Sequence, residues 1–276
     1  MVEVFKIGHY AIYLFGLTIV LGMIVGIYIM TKEAKRKGLS VDKLTDLAIY
    51  TIISAIVGAR LYYVFAFNAK YYLQNPKDIL ALRDGGLSIQ GALIFGVLFA
   101  LWYTKKKNIS FGKAADAFAP GIIMGQAIGR IGCDVFGIPM TKAYFWGVSV
   151  NNQLLHPAQI YEALLNLVLF TYLWKSRDKT KYNGQLFIKY IIGFSIIRGI
   201  VEFFRINPIV FGPFTIAHVT SLGIIVGALI MNNILKKRNQ SDHVNKSSEA
   251  AITPITHYVG IILIGAIGIW IYYFVH

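Results

Sequence analysis

A chain of 276 residues that is 56% hydrophobic and 14% charged does not suit a soluble domain, where about a quarter of the residues are charged, and reads as an all-α polytopic membrane protein. One cysteine excludes an internal disulfide framework and any multi-cysteine metal centre. The net charge of +14 would suit a nucleic-acid binder, but the basic residues crowd into alternate connections between apolar segments, which is the mark of membrane topology rather than of a phosphate-backbone footprint.

Eight apolar segments long enough for a bilayer core of about 30 Å run roughly over 10–30, 46–67, 86–103, 114–131, 157–174, 184–204, 213–235 and 255–275. The residues before the first lack a basic region and a small-residue cleavage site, so that segment is expected to stay as a helix rather than leave as a signal peptide. Lys32, Lys35, Arg36, Lys37 and Lys43 follow it. The second segment carries Arg60 in "GARLYYVF", a charge inside the membrane for which the sequence offers no position. The connection after it is poor in basic residues, with Lys70, Lys77 and Arg83. The third opens on "RDGGLSIQGALIFG", residues 83–96. Gly85, Gly86 and Gln90 sit at its start, where glycines let either a neighbouring helix or a lipid approach the backbone.

Lys105, Lys106, Lys107 and Lys113 precede the fourth segment, which is rich in Gly and Ala and holds Asp116, Gln126 and Arg130. Such content does not face lipid, so this helix is expected inside the bundle. It ends in "GQAIGRIGCD", which places Cys133 close to Arg130. A buried lone cysteine is usually a small hydrophobe; a thiol next to a guanidinium can also be a nucleophile. The fifth opens on "HPAQIYEALL", with Pro157 suited to a first helical turn and His156, Tyr161 and Glu162 near the outer interface. His156 reads as an interfacial or capping residue or as part of a site. The sixth ends in "RGIVEFFR". Arg198, Glu202 and Arg205 are spaced by four and three and share a helix face. They read either as an internal salt bridge or as a cationic pocket. The arginines outnumber Glu202, with Asp116 and Glu162 as further acidic partners, and a planar guanidinium suits phosphate.

Lys175, Arg177, Lys179 and Lys181 follow the fifth segment, and Lys236, Lys237, Arg238 and Lys246 follow the seventh. The basic set belongs in the cytoplasm, so both termini are expected outside. The polar stretch 236–254, "KKRNQSDHVNKSSEAAITP", is expected to be a cytoplasmic linker, and the apolar eighth segment an appended anchor rather than part of the site. There is no clear internal repeat, as an inverted-repeat transporter would have. His9, His156, His218, His257 and His276 lie on separate segments without metal-ligand spacing, and no phosphate-binding "GxxxxGK" loop is present. No metal and no cofactor are expected.

Taken in order, "DGGLSIQGALIFG", "DAFAPGIIMGQAIGRIG", "HPAQIYEALL" and "RGIVEFFR" resemble the prolipoprotein diacylglyceryl transferase family, and "YLFGLTIVLG" and "HVTSLGIIVGALIM" are similar to further family segments. The resemblance implies a bundle of seven transmembrane helices over 1–235, with 236–254 as the linker and 255–276 as an extra span. It implies a reaction at the outer leaflet of a bacterial cell membrane. A diacylglyceryl group passes from phosphatidylglycerol to the thiol of a prolipoprotein's lipobox cysteine, and glycerol phosphate leaves. By the same resemblance Arg130, Arg198 and Glu202 are the catalytic residues. Arg130 and Arg198, with Arg205, Gln90, Gly85, Gly86, His156 and Tyr161, line the phospholipid headgroup pocket. The phospholipid serves as cosubstrate, with the signal-peptide region of the prolipoprotein as acceptor.

The chain departs from the family pattern around that centre. Gln90 stands where the family has a histidine, and an amide cannot take a proton at useful pKa. Cys133, Phe136 and Ile138 replace two asparagines and a glutamate, and Phe15 falls at a tyrosine position. These changes leave two alternatives open: a paralogue that binds phospholipid and uses a different acceptor, or a non-catalytic lipid-binding or transport protein.

Overall fold

Every apolar segment in the sequence becomes a helix in the computed structural model, which describes residues 2–8, 10–81, 85–239 and 255–275. In chain order the helices are α1 (Leu14–Arg36), α2 (Val41–Phe67), the short α3 (Ala69–Gln74), α4 (Ile89–Lys106), α5 (Phe111–Ile131), α6 (Ala158–Ser176), α7 (Gln185–Glu202), α8 (Ile216–Asn239) and α9 (Ile255–Val275). By length and composition alone α1, α2 and α8 can cross a membrane, and α9 carries a shorter apolar stretch, Gly260–Val275. The helices between them carry the charges. Asp116 and Arg130 lie on α5, Glu162 on α6, and Arg198 and Glu202 on α7. Such helices are expected to be sheltered by protein rather than by lipid.

Four details differ from the sequence reading. The first span does not begin at residue 10. Residues Tyr10–Tyr13 form β2, paired antiparallel with β1 (Glu3–Ile7), and the helix starts at Leu14. A second hairpin, β3 (Val148–Val150) with β4 (Gln153–Leu155), fills the connection before α6. It turns on Asn151 and Asn152, both at positive φ (50° and 61°), the conformation that a two-residue hairpin loop requires and that asparagine tolerates. A third hairpin, β5 (Ile209–Phe211) with β6 (Phe214–Thr215), leads into α8. The polar linker does not begin at 236: residues 236–239 continue α8, and 240–254 lie outside the described residues.

The chain divides into two compact units, one of residues 1–30 and 115–276 and one of residues 31–114. In the first, α5, α6 and α7 build the core from Ile123, Met124, Ile128, Phe170, Leu173, Leu186 and Val201. The first part of α1 crosses α5 at two pairs of glycines. A Cβ on Gly22 would stand 2.6 Å from the carbonyl oxygen of Gly125, and one on Gly26 would stand 2.8 Å from that of Gly121. Both obstacles are backbone, and each helix carries the small-xxx-small spacing that brings membrane helices into close contact. Gly22→Val is therefore expected to destabilise the protein by about 2 kcal/mol or more, in the upper range for overpacking. Thermal unfolding in detergent checks this, and an unchanged midpoint would show that the two helices are free to separate.

The second unit explains Arg60. This side chain is 5% exposed and donates to five backbone carbonyls. Nε reaches Ile79 (2.9 Å), Nη1 reaches Gly85 (2.6 Å) and Gly86 (3.0 Å), and Nη2 reaches Asp78 (2.6 Å) and Ala81 (3.2 Å). The guanidinium also lies over the Tyr72 ring, 5.1 Å from its centroid. Gly85 and Gly86 hold φ of 83° and 76°, the left-handed region that glycine enters without steric cost, and this turns their carbonyls toward Arg60. An arginine with no assignable role in the sequence thus gathers the backbone of residues 78–81 and 85–86 between α3 and α4.

Candidate functional site

Helix ends bring the charged residues of the first unit together. Arg130 lies in the last turn of α5, Arg198 in the last turns of α7, and Glu202 is the final residue of α7. Cations at helix carboxyl ends are favoured by the helix dipole. Glu162 enters from the amino-terminal turns of α6, the end that favours a carboxylate. Arg130 Nε meets Glu162 Oε1 at 2.9 Å. Arg198 Nη2 meets Glu202 Oε2 at 3.0 Å, and Arg205 Nε approaches the same oxygen at 3.6 Å. Both carboxylates are about 1% exposed.

Glu202 is the hub of its half. Its Oε1 also accepts from Asn207 Nδ2 (2.7 Å) and from the hydroxyl of Thr215 (2.8 Å). Thr215 in turn donates its backbone N–H to His218 Nδ1 at 3.1 Å. Burial, followed by the like charges of Arg198 and Arg130, pulls the pKa of Arg205 below the ordinary arginine value, against the pull of Glu202 and Glu162. The three guanidiniums therefore feel one another. Against the two carboxylates they carry one positive charge in excess. Among the described residues the buried Nη1 of Arg198 and Oε2 of Glu162 have no hydrogen-bond partner, and a buried donor on a cation is costly when left unpaired.

Asp116 does not add to this cluster. It lies near the start of α5, about 21 Å from Arg130 at the helical rise of about 1.5 Å per residue. There its carboxylate accepts the backbone N–H groups of Gly184 and Phe187 (3.0 Å each), at the amino end of α7. Its expected place beside the arginines is corrected to a helix-capping one.

A chain of aromatic and polar groups runs beside the cluster. His156 Nδ1 and the hydroxyl of Tyr161 are 3.1 Å apart, and that hydroxyl accepts from Trp146 Nε1 at 3.0 Å. The rings of His156 and Tyr161 both pack on Phe204, just beyond α7. The segment that carries them is zipped in place by its backbone. Gly137 N–H donates to the His156 carbonyl (2.8 Å), His156 N–H to Ile138 (3.1 Å), and Ile138 N–H to the Phe204 carbonyl (2.9 Å). Cys133 is buried, with Sγ 3.7 Å from Arg130 Nη1, so the thiol serves as a weak acceptor for that arginine.

Of the residues singled out in the sequence, Arg130, Arg198, Glu202, Arg205, His156 and Tyr161 all belong to the first unit, on the ends of α5, α6 and α7 or next to them. Gln90, Gly85 and Gly86 belong to the second. Gln90 is exposed in the first turn of α4, and its Oε1 accepts from the Ser88 hydroxyl at 2.6 Å. The carbonyls of Gly85 and Gly86 are engaged by Arg60. Sequence reasoning missed Asn207, Thr215 and Trp146. A hydroxyl and an amide in a connection carry no charge to draw the eye, although "VNNQ" within alternating residues signals the turn that presents the hairpin next to Trp146.

The family model described as prolipoprotein diacylglyceryl transferase matches residues 2–234. Among curated relatives, a Bacillus cereus protein is 35% identical over 251 residues, which cover 86% of this chain and 93% of the relative. A Bacillus cytotoxicus protein is 37% identical over 250 residues, covering 86% and 92%. Both carry the name phosphatidylglycerol–prolipoprotein diacylglyceryl transferase.

Proposed function

Because the chain belongs to the prolipoprotein diacylglyceryl transferase family, we propose that it transfers a diacylglyceryl group from phosphatidylglycerol to the lipobox cysteine thiol of prolipoproteins. The observation that carries this reading is the cationic cluster, with one guanidinium in excess over the carboxylates it pairs with and an Arg198 Nη1 that has no partner among the described residues. The thiolate sulfur forms a bond to the glyceryl carbon, and the bond from that carbon to the phosphate oxygen breaks. The electron pair leaves with glycerol phosphate, and the phosphate passes from diester to monoester with one more negative charge. Pre-placed guanidiniums stabilise charge as it develops at such a leaving group. Arg130 and Arg198 hold and neutralise the phosphate, Arg205 adds to the field, and Glu202 orients Arg198. Tyr161 and His156 border the headgroup. Gln90, Gly85 and Gly86 are proposed as further contacts on the family resemblance alone.

The thiol proton goes to a group other than Gln90, since an amide is not a base near neutral pH. Titratable acceptors gathered at the cluster and beside it include His156, Glu162, Glu202 and His218. No cofactor enters the reaction. The site faces the outer leaflet in this reading. The charged ends of α5 and α7 lie with the amino end of α6, whereas Lys175 and Arg177 lie at or just past the opposite end of α6. By the positive-inside rule that opposite end is cytoplasmic. The amino terminus is then outside.

The reading is tested with the purified chain in nanodiscs containing phosphatidylglycerol and a lipobox peptide with one cysteine. The expected result is a mass gain of one diacylglyceryl group, absent with the Cys→Ser peptide. Phosphatidylglycerol binding without an adduct would instead favour a different acceptor, in line with the glutamine at position 90.

A further inference from the structure

Helix α9 begins beyond the region that the family model matches, which ends at residue 234. The sequence presents it as an appended anchor; in the structure it packs on α5 and α6. Gly268 packs against Ile131 of α5 and Gly265 against Leu167 of α6. Near its carboxyl end, Tyr272 is fully buried and its hydroxyl accepts from Gln159 Nε2 at 2.6 Å. Gln159 is one helical turn before Glu162, the residue that holds Arg130. Tyr272 also joins a small cluster with Val148 of β3 and Ile160 of α6, against which Phe136 and Val150 pack. The next residue, Tyr273, donates its hydroxyl to the backbone carbonyl of Trp146 at 2.5 Å. Trp146 donates to Tyr161, and Tyr161 meets His156. Two adjacent tyrosines thus tie the extra helix to the start of α6 and to the arm of residues 132–157.

We infer that the carboxyl end of α9 is a latch for the site: Tyr272 and Tyr273 are positioning residues that hold the arm and the first turn of α6, and through them the Trp146–Tyr161–His156 chain and the Arg130–Glu162 pair, in the arrangement that transfer requires. The inference rests on the transfer reaction proposed above. The headgroup cations on and just beyond α7 do not depend on α9, since Arg198 and Arg205 are anchored by Glu202. Losing the latch therefore weighs on turnover more than on phospholipid binding, which keeps Arg198 and Arg205 even when Arg130, Tyr161 and His156 are loosened. Preorganised geometry of this kind is sensitive to displacements of about 1 Å, which can cost about a hundredfold in rate.

The experiment uses the full chain in phosphatidylglycerol nanodiscs with the variants Tyr272→Phe and Tyr273→Phe. Each keeps its ring and loses one hydroxyl, and Tyr273, 37% exposed, can lose its bond without opening the core. Hydrogen exchange of the arm amides (residues 137–155), kcat and KM for phosphatidylglycerol are measured for each. Arm exchange is expected to rise about tenfold and kcat to fall about five- to tenfold, with KM changing less than kcat; the melting midpoint stays nearly unchanged in Tyr273→Phe and falls in Tyr272→Phe, which leaves the buried Gln159 amide without its acceptor. Unchanged exchange and kcat in Tyr273→Phe would overturn the inference. So would faster arm exchange with kcat intact, because the arm would then be held to no purpose. A parent chain that forms no adduct at all would defeat the transfer reading and not the latch itself, which the exchange measurement decides separately.

Discussion

Arg198→Ala is expected to lower the rate of diacylglyceryl transfer by about a hundred- to a thousandfold, the range seen when one preorganised donor to a developing anion is removed, while the protein stays folded. The second half of that expectation comes from the contacts of Glu202. Without Arg198 this buried carboxylate still has Arg205 at 3.6 Å, Asn207 at 2.7 Å and Thr215 at 2.8 Å. The charge is not stranded, so the variant reads function rather than stability.

Arg130→Ala gives the contrast. It is expected to lose as much activity, but Glu162 would lose its ion-pair partner while 1% exposed, and a stranded buried charge costs about 3–5 kcal/mol before it protonates. Arg130→Ala with Glu162→Gln is then expected to recover much of the stability and none of the activity. Adduct formation by mass spectrometry and unfolding in detergent separate the two effects. If Arg198→Ala transferred within about threefold of the parent rate, the cluster would not be the phosphate site, because removing a donor from a developing anion costs far more than that.

Arg60→Ala is expected to be the most damaging substitution in the second unit. Five carbonyls share this one guanidinium. Bonds from a charged donor contribute about 1.5–3 kcal/mol each, and because water reaches some of the released carbonyls the net loss is on the order of 3–5 kcal/mol. Arg60→Lys restores little, since an ammonium has three donors and no planar fork. Hydrogen exchange over residues 76–91 checks this, with the loss of protection confined to that loop and the start of α4. If Arg60→Ala behaved like the parent, the loop would be held by its own turns. The same prediction bears on Gly85 and Gly86. Their carbonyls serve Arg60, so substitutions there are expected to act through the loop as well as through any lipid that approaches it.

The class of the protein is a property of the sequence by itself. Transfer energies add residue by residue along a chain, so the eight apolar segments, the alternation of basic connections and the cost of Arg130, Arg198 and Glu202 within apolar segments can all be read without coordinates. The spacing of Arg198 and Glu202 likewise places them on one helix face, because neighbours four apart on a helix meet; Arg205, expected on the same face, instead lies past the end of α7 and reaches Glu202 from the turn that follows.

What only the tertiary structure decided involves partners far apart in the chain, or partners with no side-chain signature. Arg130 could have paired with Asp116 or Glu162. Helical rise puts Asp116 at the wrong end of α5, and the antiparallel entry of α6 brings Glu162 to the right one. Arg60 finds backbone carbonyls, which every residue possesses and no pattern reveals. The eighth segment is uniformly apolar in sequence and looks inert. Its tyrosine hydroxyls meet Gln159 and Trp146 more than a hundred residues away, and only the packing of α9 against α6 brings them there.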